Sequence, residues 1–314
     1  MPDQGFTNEP SAAGNQYHVL RIIACLFTAP ARVESVRING SKFTELEGVN
    51  TMTTIVITGS TRGIGYGLAK AFLEKGCNVV INGRTQEAVN QAVSQLAAVD
   101  SAERILGLPV DVAMFDQVRV LWRSSQERFG AIDCWINNAG IANPLMDFWE
   151  LDAGQFRSLL ETNLLGALYG CKVAMQGMLQ QGFGKIYNME GMGSDGKVRV
   201  RGLLPYGLTK AGIAFLTNAL AIEAKGTGIV IGAIRPGMVY TDKLATQYKD
   251  RPDEWERVKK VLAVLTDRVE TVAPWIAQKI LENQVSGVRI RWNTPARTLK
   301  KFLLLPFRKT DPFD

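Results

Sequence analysis

The sequence predicts an α/β fold in which one parallel sheet, covered by helices on both faces, forms a single doubly wound domain. Short runs of β-branched and apolar residues recur from Thr53 onward and alternate with longer segments of helical periodicity. Most of these runs are apolar throughout, which indicates strands that are buried on both faces. Strands of this kind joined by helices are typical of βαβ units, so a doubly wound sheet is expected.

The predicted elements follow one another in regular order. We predict strands over residues 55–58, 78–82, 105–110, 134–137, 185–189 and 229–234. We predict helices over residues 64–75, 86–98, 115–129, 153–181 and 205–225. Charged helical segments at 252–265 and 269–283 precede a last strand at 288–292. An insertion after a late strand would cover the cleft of such a sheet, so we expect a helical substrate lid over about 241–285 within a domain spanning 52–293.

The composition matches that of a soluble globular enzyme. The chain has 314 residues, 46% of them hydrophobic and 21% charged, and its formal net charge of +6 is not concentrated in a basic stripe in the central part. No nucleic-acid partner is therefore expected. The four cysteines show no CxxC spacing and are interpreted as reduced residues. His18 is the single histidine, so we expect neither histidine-based catalysis nor a metal site.

Both ends of the chain differ from the predicted domain. Residues 1–51 mix Pro, Gly, Ser and Asn with one short apolar run, which predicts a flexible extension. A targeting segment, or a start upstream of a natural one at Met52, is the alternative. Residues 294–314 are basic and apolar. They either pack on the domain with their bases in solvent or lie against a membrane surface or an anionic partner.

A glycine-rich loop joins the first predicted strand to the first predicted helix. Its sequence is Thr58-Gly59-Ser60-Thr61-Arg62-Gly63-Ile64-Gly65. The three glycines allow a tight turn and a close backbone approach to a pyrophosphate, whose charge is stabilised at the amino end of a helix. Between a strand and a helix, the loop favours a Rossmann-type dinucleotide site over an ordinary glycine-rich turn.

The ends of the second and third strands indicate which dinucleotide is bound. The second ends in Asn82-Gly83-Arg84, without the carboxylate that would hold the ribose 2′-hydroxyl of NAD. Arg84, together with Arg62, could bind the 2′-phosphate of NADP(H); the alternative is that both arginines are solvated loop residues. Asp111, followed by Val112, either accepts a hydrogen bond from the adenine amino group or caps the strand end.

Tyr206 and Lys210 form the candidate proton-transfer pair. They are four residues apart at the start of a predicted helix, so both lie on one face. An adjacent ammonium group favours the phenolate and is expected to lower the pKa of the tyrosine from about 10. The same spacing also arises by chance on helix surfaces, so its weight depends on the surrounding motifs.

These motifs resemble, in order, those of the short-chain dehydrogenase/reductase family. The matching motifs are the glycine loop, Asp111, Asn137-Asn138-Ala139-Gly140, Asn163, Tyr206 with Lys210, and Arg235-Pro236-Gly237 with Thr241. The resemblance is strong over about residues 53–245, weak in the tail and absent from the first 50 residues.

The resemblance implies a role for each matching residue. Tyr206 would be the acid or base, Lys210 would bind the nicotinamide ribose and lower the pKa of Tyr206, and Asn163 would order a proton-relay water. Thr241 would meet the nicotinamide carboxamide. The remaining contacts would be those to the adenosine ribose and the rest of the cofactor, from Asn138, Ala139, Gly140, Pro236 and Gly237.

One segment departs from the family pattern. Most members have Ile-x-Asn-x-Ser-Ser before the tyrosine, whereas this chain has Glu190 and Gly191 in the serine places. Ser194 is the candidate to polarise a substrate carbonyl, provided that the loop is rearranged; a plain turn serine is the alternative. The Asn-Met-Glu-Gly-x-Gly-Ser and Arg-Pro-Gly-Met-Val segments are similar to the chlorophyll(ide) b reductase branch, whose members reduce a formyl group on a large macrocycle.

These features predict an NADPH-dependent oxidoreductase that reduces a carbonyl group on a bulky apolar substrate, such as a formyl-tetrapyrrole. The alternatives are reduction of a 3-oxoacyl thioester or small ketone and, in another class of protein, a non-catalytic NADP(H)-sensing regulator. The resemblance also implies a homodimer or homotetramer packed through helices 153–181 and 205–225. We expect a cytoplasmic protein; a plastid, or a peripheral membrane location through the tail, is the alternative.

Overall fold

The strands of the fold are short and mostly apolar. They are β1 Thr54–Ile57, β2 Asn78–Gly83, β3 Ile105–Pro109, β4 Cys134–Asn137, β5 Gly184–Met189, β6 Ile229–Arg235, β7 Met238–Val239, β8 Thr266–Asp267 and β9 Arg289–Arg291. Seven of them form one parallel sheet in the order β3-β2-β1-β4-β5-β6-β9, and β7 pairs with β8 separately. The predicted α/β fold with a parallel sheet is therefore confirmed.

The computed structural model describes residues 52–240, 252–294, 296–298 and 301. The chain divides into two units, Met1–Thr51 and Met52–Asp314, and every described residue belongs to the second. The predicted extension, Thr241 and most of the predicted tail lie outside the described residues. Among the helices that are described, none combines the length and apolar character needed to cross a membrane.

Helices follow nearly every strand. They are α1 Gly63–Leu73, α2 Gln86–Ala97, α3 Phe115–Phe129, α4 Ala153–Leu159, α5 Gly166–Gln181, α6 Leu204–Glu223, α7 Pro252–Leu265 and α8 Val269–Glu282. A π-helical turn at Leu160–Leu165 connects α4 to α5, so the helix predicted over 153–181 is present but contains one wider turn.

Two apolar clusters cover the sheet, one on each face. On one face Ile55 and Ile57 of β1 pack with Phe72 of α1. On the other face Val56 of the same strand packs with Trp135 and with residues of α3 and α5. Successive residues of a strand point to opposite faces, and both faces here are covered, which explains why the strand sequences are apolar throughout.

The predicted lid is shorter than the sequence analysis expects. Val272 and Ile276 of α8 are fully buried and belong to the cluster that contains α1. Because α8 covers the sheet, it does not belong to a lid. An amphipathic helix can pack equally well on a sheet or over a cleft, so its sequence pattern does not separate the two. The part of the lid prediction that remains is α7 together with residues 241–251. Residues 241–251 lie outside the described residues.

The beginning of the predicted tail packs on the domain. The indole nitrogen of Trp292 donates to Asp267 at 2.7 Å, and Lys301 pairs with the same carboxylate. The guanidinium carbon of Arg297 lies 3.8 Å from the ring centroid of Trp292 and 4.9 Å from that of Trp275. For these residues the packed interpretation of the tail agrees with the structure.

Candidate active site

A cavity of about 840 Å³ opens at the carboxyl ends of β1 to β4. The strand order reverses between β1 and β4, which is where doubly wound sheets leave a crevice for ligands. Most of the predicted cofactor residues line it: Gly59, Thr61, Arg62, Gly63, Ile64, Gly65, Arg84, Asp111, Val112, Asn138, Ala139 and Gly140. Other predicted residues do not line this cavity: Ser60, Tyr206, Lys210, Pro236 and Gly237.

The glycine loop has the backbone that the sequence predicts. Gly59 and Gly63 have φ angles of 61° and 60°, a conformation that residues with a side chain rarely adopt. A Cβ atom on Gly65 would clash with the side chain of Asn138. The N-cap residue Arg62 forms no side-chain hydrogen bond with α1, so the amide groups of the first turn are left for a ligand at the cavity wall.

Ser60 supports the loop from inside instead of facing the cavity. It is fully buried; its hydroxyl donates to the Ile57 carbonyl at 2.6 Å and accepts from the Asn82 amide at 3.0 Å. Asn82 accepts from the Gly59 amide at 3.1 Å and donates to the Val110 carbonyl at 2.8 Å. Sequence reasoning missed this role of Asn82, although its position at the end of β2 was the signal.

The end of the cavity near β2 and β3 is rich in positive charge. Arg62 and Arg84 are exposed at its wall, and within the described part of the chain neither forms an ion pair. Asp111 accepts from the Ala113 amide at 3.0 Å, which is the capping role that the sequence left open, and it also lines the cavity. This end therefore suits an anionic group.

Tyr206, Lys210 and Asn163 gather behind the wall at Gly140. A Cβ atom added to Gly140 would lie 3.3 Å from Asn163 Oδ1 and 3.7 Å from Lys210 Nζ. The ammonium group of Lys210 is nearly buried, donates to the Met189 carbonyl at 2.9 Å and lies 5.7 Å from the ring centroid of Tyr206. The pair predicted from spacing thus lies next to the predicted cofactor cavity.

Asn163 connects the loop after β4 to the helix that carries Tyr206. Its side chain accepts from the Ile141 amide at 2.7 Å and donates to the Ile141 carbonyl at 2.9 Å and to Thr209 Oγ1 at 3.1 Å. It is fully buried within the π-helical turn. The side-chain amide hydrogens are both used, so the role in ordering a relay water stays a prediction.

The pKa of Tyr206 differs from the sequence-based expectation. Burial raises it to about 12, whereas the nearby Lys210 was expected to lower it. Burial disfavours the charged phenolate more than this ammonium group, already bonded to a carbonyl, can favour it. With its pKa raised in this way, Tyr206 is a neutral phenol throughout the physiological pH range.

Ser194 lies in a turn that faces the tyrosine. Its hydroxyl accepts from the Gly191 amide at 3.0 Å, and it is mostly buried. A Cβ atom added to Gly191 would lie only 2.6 Å from Tyr206 Oη. Ser194 is thus hydrogen-bonded to a residue that leaves no space for a side chain beside the Tyr206 hydroxyl, and its role toward a substrate stays a prediction.

Further cavity residues come from the segment after the Asn-Asn-Ala-Gly motif. Sequence reasoning did not single them out, although they follow a strand at the ligand-binding edge of the sheet. Asn143 of this segment also donates to the Gly202 carbonyl at 2.6 Å, which joins two loops at the rim. These cavity residues are Ile141, Ala142, Asn143, Pro144, Leu145 and Met146.

Comparison with known proteins places this site in a family. A sequence model described as short chain dehydrogenase matches residues 53–252, which include the glycine loop and the Tyr206–Lys210 pair. The chain belongs to the short-chain dehydrogenase/reductase family.

Its relatives include enzymes of chloroplasts. The chain is 36% identical over 262 residues to chlorophyll(ide) b reductase NOL, chloroplastic, of Arabidopsis thaliana, which covers 82% of this chain and 72% of that protein. The protein of the same name from Oryza sativa subsp. japonica is 33% identical over 231 residues, covering 72% of this chain and 66% of that protein. Against another chloroplastic relative from the same organism, the chain spans 53% of the relative's length.

A solved structure extends the similarity to the fold. An actinorhodin polyketide ketoreductase solved with NADPH has a TM-score of 0.69 at 27% identity, covering 77% of this chain and 95% of that chain. The family and the fold therefore establish an oxidoreductase.

Proposed function

We propose that the protein is an NADPH-dependent reductase of carbonyl groups. The observation that carries this proposal is the position of Gly140, where the cofactor cavity meets the Tyr206–Lys210 pair. This glycine lines the cofactor cavity on one side and lies beside Lys210 and Asn163 on the other. A dinucleotide in the cavity would thus end next to the Tyr206–Lys210 pair.

The residues of the cavity fit NADP(H). Arg62 and Arg84 would bind the 2′-phosphate, and the first turn of α1 would bind the pyrophosphate. The end of β2 presents Asn82 in place of the carboxylate that would repel a 2′-phosphate at this position. When bound, NADPH would supply the hydride for the carbonyl carbon.

The chain would supply the proton and hold the carbonyl oxygen. Tyr206 is a phenol at neutral pH, since burial raises its pKa further above that of an ordinary tyrosine, and a protonated group is what a reduction requires. It would donate its proton to the carbonyl oxygen, leaving a phenolate that the ammonium of Lys210 stabilises. Ser194 would donate a hydrogen bond to the same oxygen.

A bulky substrate with a formyl group, such as chlorophyllide b, is the substrate class we favour. A relative that is 36% identical carries the name chlorophyll(ide) b reductase. The cavity wall after Gly140 also offers apolar side chains to a macrocycle, from Ile141, Pro144, Leu145 and Met146. The ketoreductase of similar fold is less similar in sequence, at 27%, so a 3-oxoacyl or small-ketone substrate is the second candidate.

A steady-state assay with NADPH and chlorophyllide b tests the proposal. Tyr206→Phe is expected to lower kcat at least 100-fold while the Kd for NADPH stays within about twofold, since only the proton donor is lost. Tyr169→Phe is the matched control, because Tyr169 packs on Phe115, away from the cavity, and should retain full turnover.

Near-normal turnover of Tyr206→Phe would remove this residue from the mechanism. A wild-type protein that binds NADPH but reduces neither chlorophyllide b nor a panel of long-chain aldehydes and 3-oxoacyl thioesters would favour the sensing regulator.

We also propose a plastid location and a homo-oligomeric state. The relatives' names include the word chloroplastic, which supports the plastid over the cytoplasm. Imaging of the full chain fused to a fluorescent protein in a photosynthetic cell tests the location, and a diffuse cytoplasmic signal would contradict it. Contact with a membrane surface stays a prediction for the tail beyond residue 301, outside the described residues.

A further inference from the structure

A buried carboxylate lies beside the candidate active site. Glu190 directly follows β5, at one of the two positions where the sequence departs from the family's serine pattern. The exposed fraction of its side chain is 0%. A charged group buried to this extent must be paired, because the loss of water is otherwise too unfavourable.

Two arginines from neighbouring strands pair with Glu190. Arg235 at the end of β6 donates to Oε2 through Nε at 3.0 Å and Nη2 at 2.8 Å, and Arg289 at the start of β9 donates to Oε1 at 2.9 Å. Arg235 also reaches Asp195 at 3.4 Å, and Arg289 donates to Asn218 of α6 at 2.6 Å. The carboxylate therefore connects β5, β6, β9 and α6 at a single point.

The loop that begins at Gly191 lies between this ion cluster and Tyr206. On one side it is held at Asp195, which pairs with the same arginine as Glu190. On the other side it contacts α6 closely: a Cβ atom on Gly191 would lie 2.6 Å from Tyr206 Oη, and one on Gly193 would lie 2.7 Å from Gly207 Cα. Small movements of this loop would therefore change the surroundings of the Tyr206 hydroxyl.

We propose that Glu190 is a positioning residue for carbonyl reduction. Through Arg235 and Asp195 it holds Gly191 and Ser194 against the Tyr206 hydroxyl, at the point where the carbonyl oxygen would bind. The inference deepens the proposed function and rests on it. Buried ion pairs are often no more stabilising than apolar residues of the same shape. We therefore attribute the Glu190 ion pairs to the fixed geometry that they give the loop, and not to stability.

Glu190→Gln tests the proposal, since it removes the charge but keeps the shape and one oxygen. With chlorophyllide b, we expect kcat per bound NADPH to fall at least 10-fold and the Kd for NADPH to stay within about twofold. With NADPH deuterated at the transferred position, the isotope effect on kcat should rise, because the chemical step becomes slower. Amide hydrogen exchange of residues 191–196 should become faster than in the wild type.

Two further variants make the result specific. Glu282→Gln applies the same chemical change to an exposed ion pair with Lys279 and should leave all three measurements unchanged. Asp195→Asn removes the charge that pairs with Arg235 but keeps an oxygen to accept from the amides of Lys197 and Val198, and it should lower kcat about threefold with faster exchange. It also keeps the proposal testable should Glu190→Gln fail to fold.

The outcomes separate the inference from the proposed function. Wild-type kcat and exchange in both Glu190→Gln and Asp195→Asn would overturn the positioning role. So would a loss of activity in proportion to the unfolded fraction with an unchanged isotope effect. If the wild type reduces no carbonyl compound, the proposed function fails, and the exchange of residues 191–196 alone then decides whether Glu190 holds the loop.

Discussion

Arg84 and Arg62 are the residues on which the cofactor preference would depend. Both are exposed at the cavity wall, and within the described residues neither has a carboxylate partner. A hydrogen bond between charged groups contributes about 1.5–3 kcal/mol, so Arg84→Ala should raise the KM for NADPH roughly 10-fold or more and leave the KM for NADH nearly unchanged. Steady-state kinetics with both cofactors measure this.

The control for this prediction is Arg119→Ala on α3. Arg119 pairs with Asp116 at an exposed position away from the cofactor cavity, so neither KM should change. Equal losses with NADPH and NADH in Arg84→Ala would mean that the residue does not recognise the 2′-phosphate.

Gly191 provides a second test at the scale of a single residue. Restoring the family's serine with Gly191→Ser should lower kcat at least 10-fold, because the new Cβ would lie 2.6 Å from Tyr206 Oη. The φ angle of Gly191 is not positive, so the effect would come from this contact and not from backbone strain. Gly191→Ala, which adds the same Cβ without a hydroxyl, should show the same loss. A gain of activity in Gly191→Ser alone would show that the serine place still works as in the rest of the family.

At the scale of elements, Lys185 of β5 closes the carboxyl end of α8. Its ammonium group donates to the carbonyls of Ile280 at 3.2 Å, Leu281 at 3.1 Å and Asn283 at 2.7 Å. These are orphan carbonyls of a helix end, and a cation there also interacts favourably with the helix dipole. This contact fixes the helix that covers the sheet next to α1.

Lys185→Met is expected to lower the free energy of unfolding by about 2 kcal/mol, because buried carbonyls lose a charged donor. Urea denaturation measures the change. Lys279→Met on the exposed side of α8 removes only a surface ion pair with Glu282 and should cost at most about 1 kcal/mol. If the two variants are equally stable, Lys185 does not cap the helix.

At the scale of the whole molecule, α6 carries apolar side chains that nothing in the described chain covers. Phe215 is 75% exposed and Ile222 is 76% exposed, and Leu208 on the same helix is also exposed. Apolar groups of this size on one helix are typical of an interface between subunits. They support the proposal of a homo-oligomer.

Phe215→Glu should convert the proposed homo-oligomer to monomers, because a charge would be buried in the interface that we propose at α6. Size-exclusion chromatography with light scattering measures the mass. Val285→Glu adds the same charge at an exposed apolar residue outside α6 and should not change the mass. A wild-type monomer would contradict the prediction.

The fold was largely predictable because its signal is local. Continuous apolar runs and helical periodicity lie within single segments, so the order of strands and helices up to β6 follows from the sequence alone. The role of α8 did not follow, since an amphipathic pattern identifies the apolar face and not what covers it. The pairing of β7 with β8 involves two residues from each strand, too few for a recognisable pattern.

The site was predictable in its glycine positions and in the Tyr206–Lys210 pair, but not in its energetics. The internal hydrogen bonds of Ser60 and the raised pKa of Tyr206 depend on neighbours that are distant in sequence. The contacts of Glu190 join three strands and could not be inferred from its own segment.

The π-helical turn that contains Asn163 determines how the side chains of α4 are rotated about the helix axis relative to those of α5. An α-helix advances about 100° per residue, so one residue more or less between α4 and α5 would rotate everything beyond it by that angle. Cys171 and Ala174 of α5 are buried against the sheet, whereas Asn163 reaches the loop at Ile141. A chain shortened by one residue at this turn could keep the Asn163 side-chain amide at the cleft or the packing of α5 against the sheet, but not both.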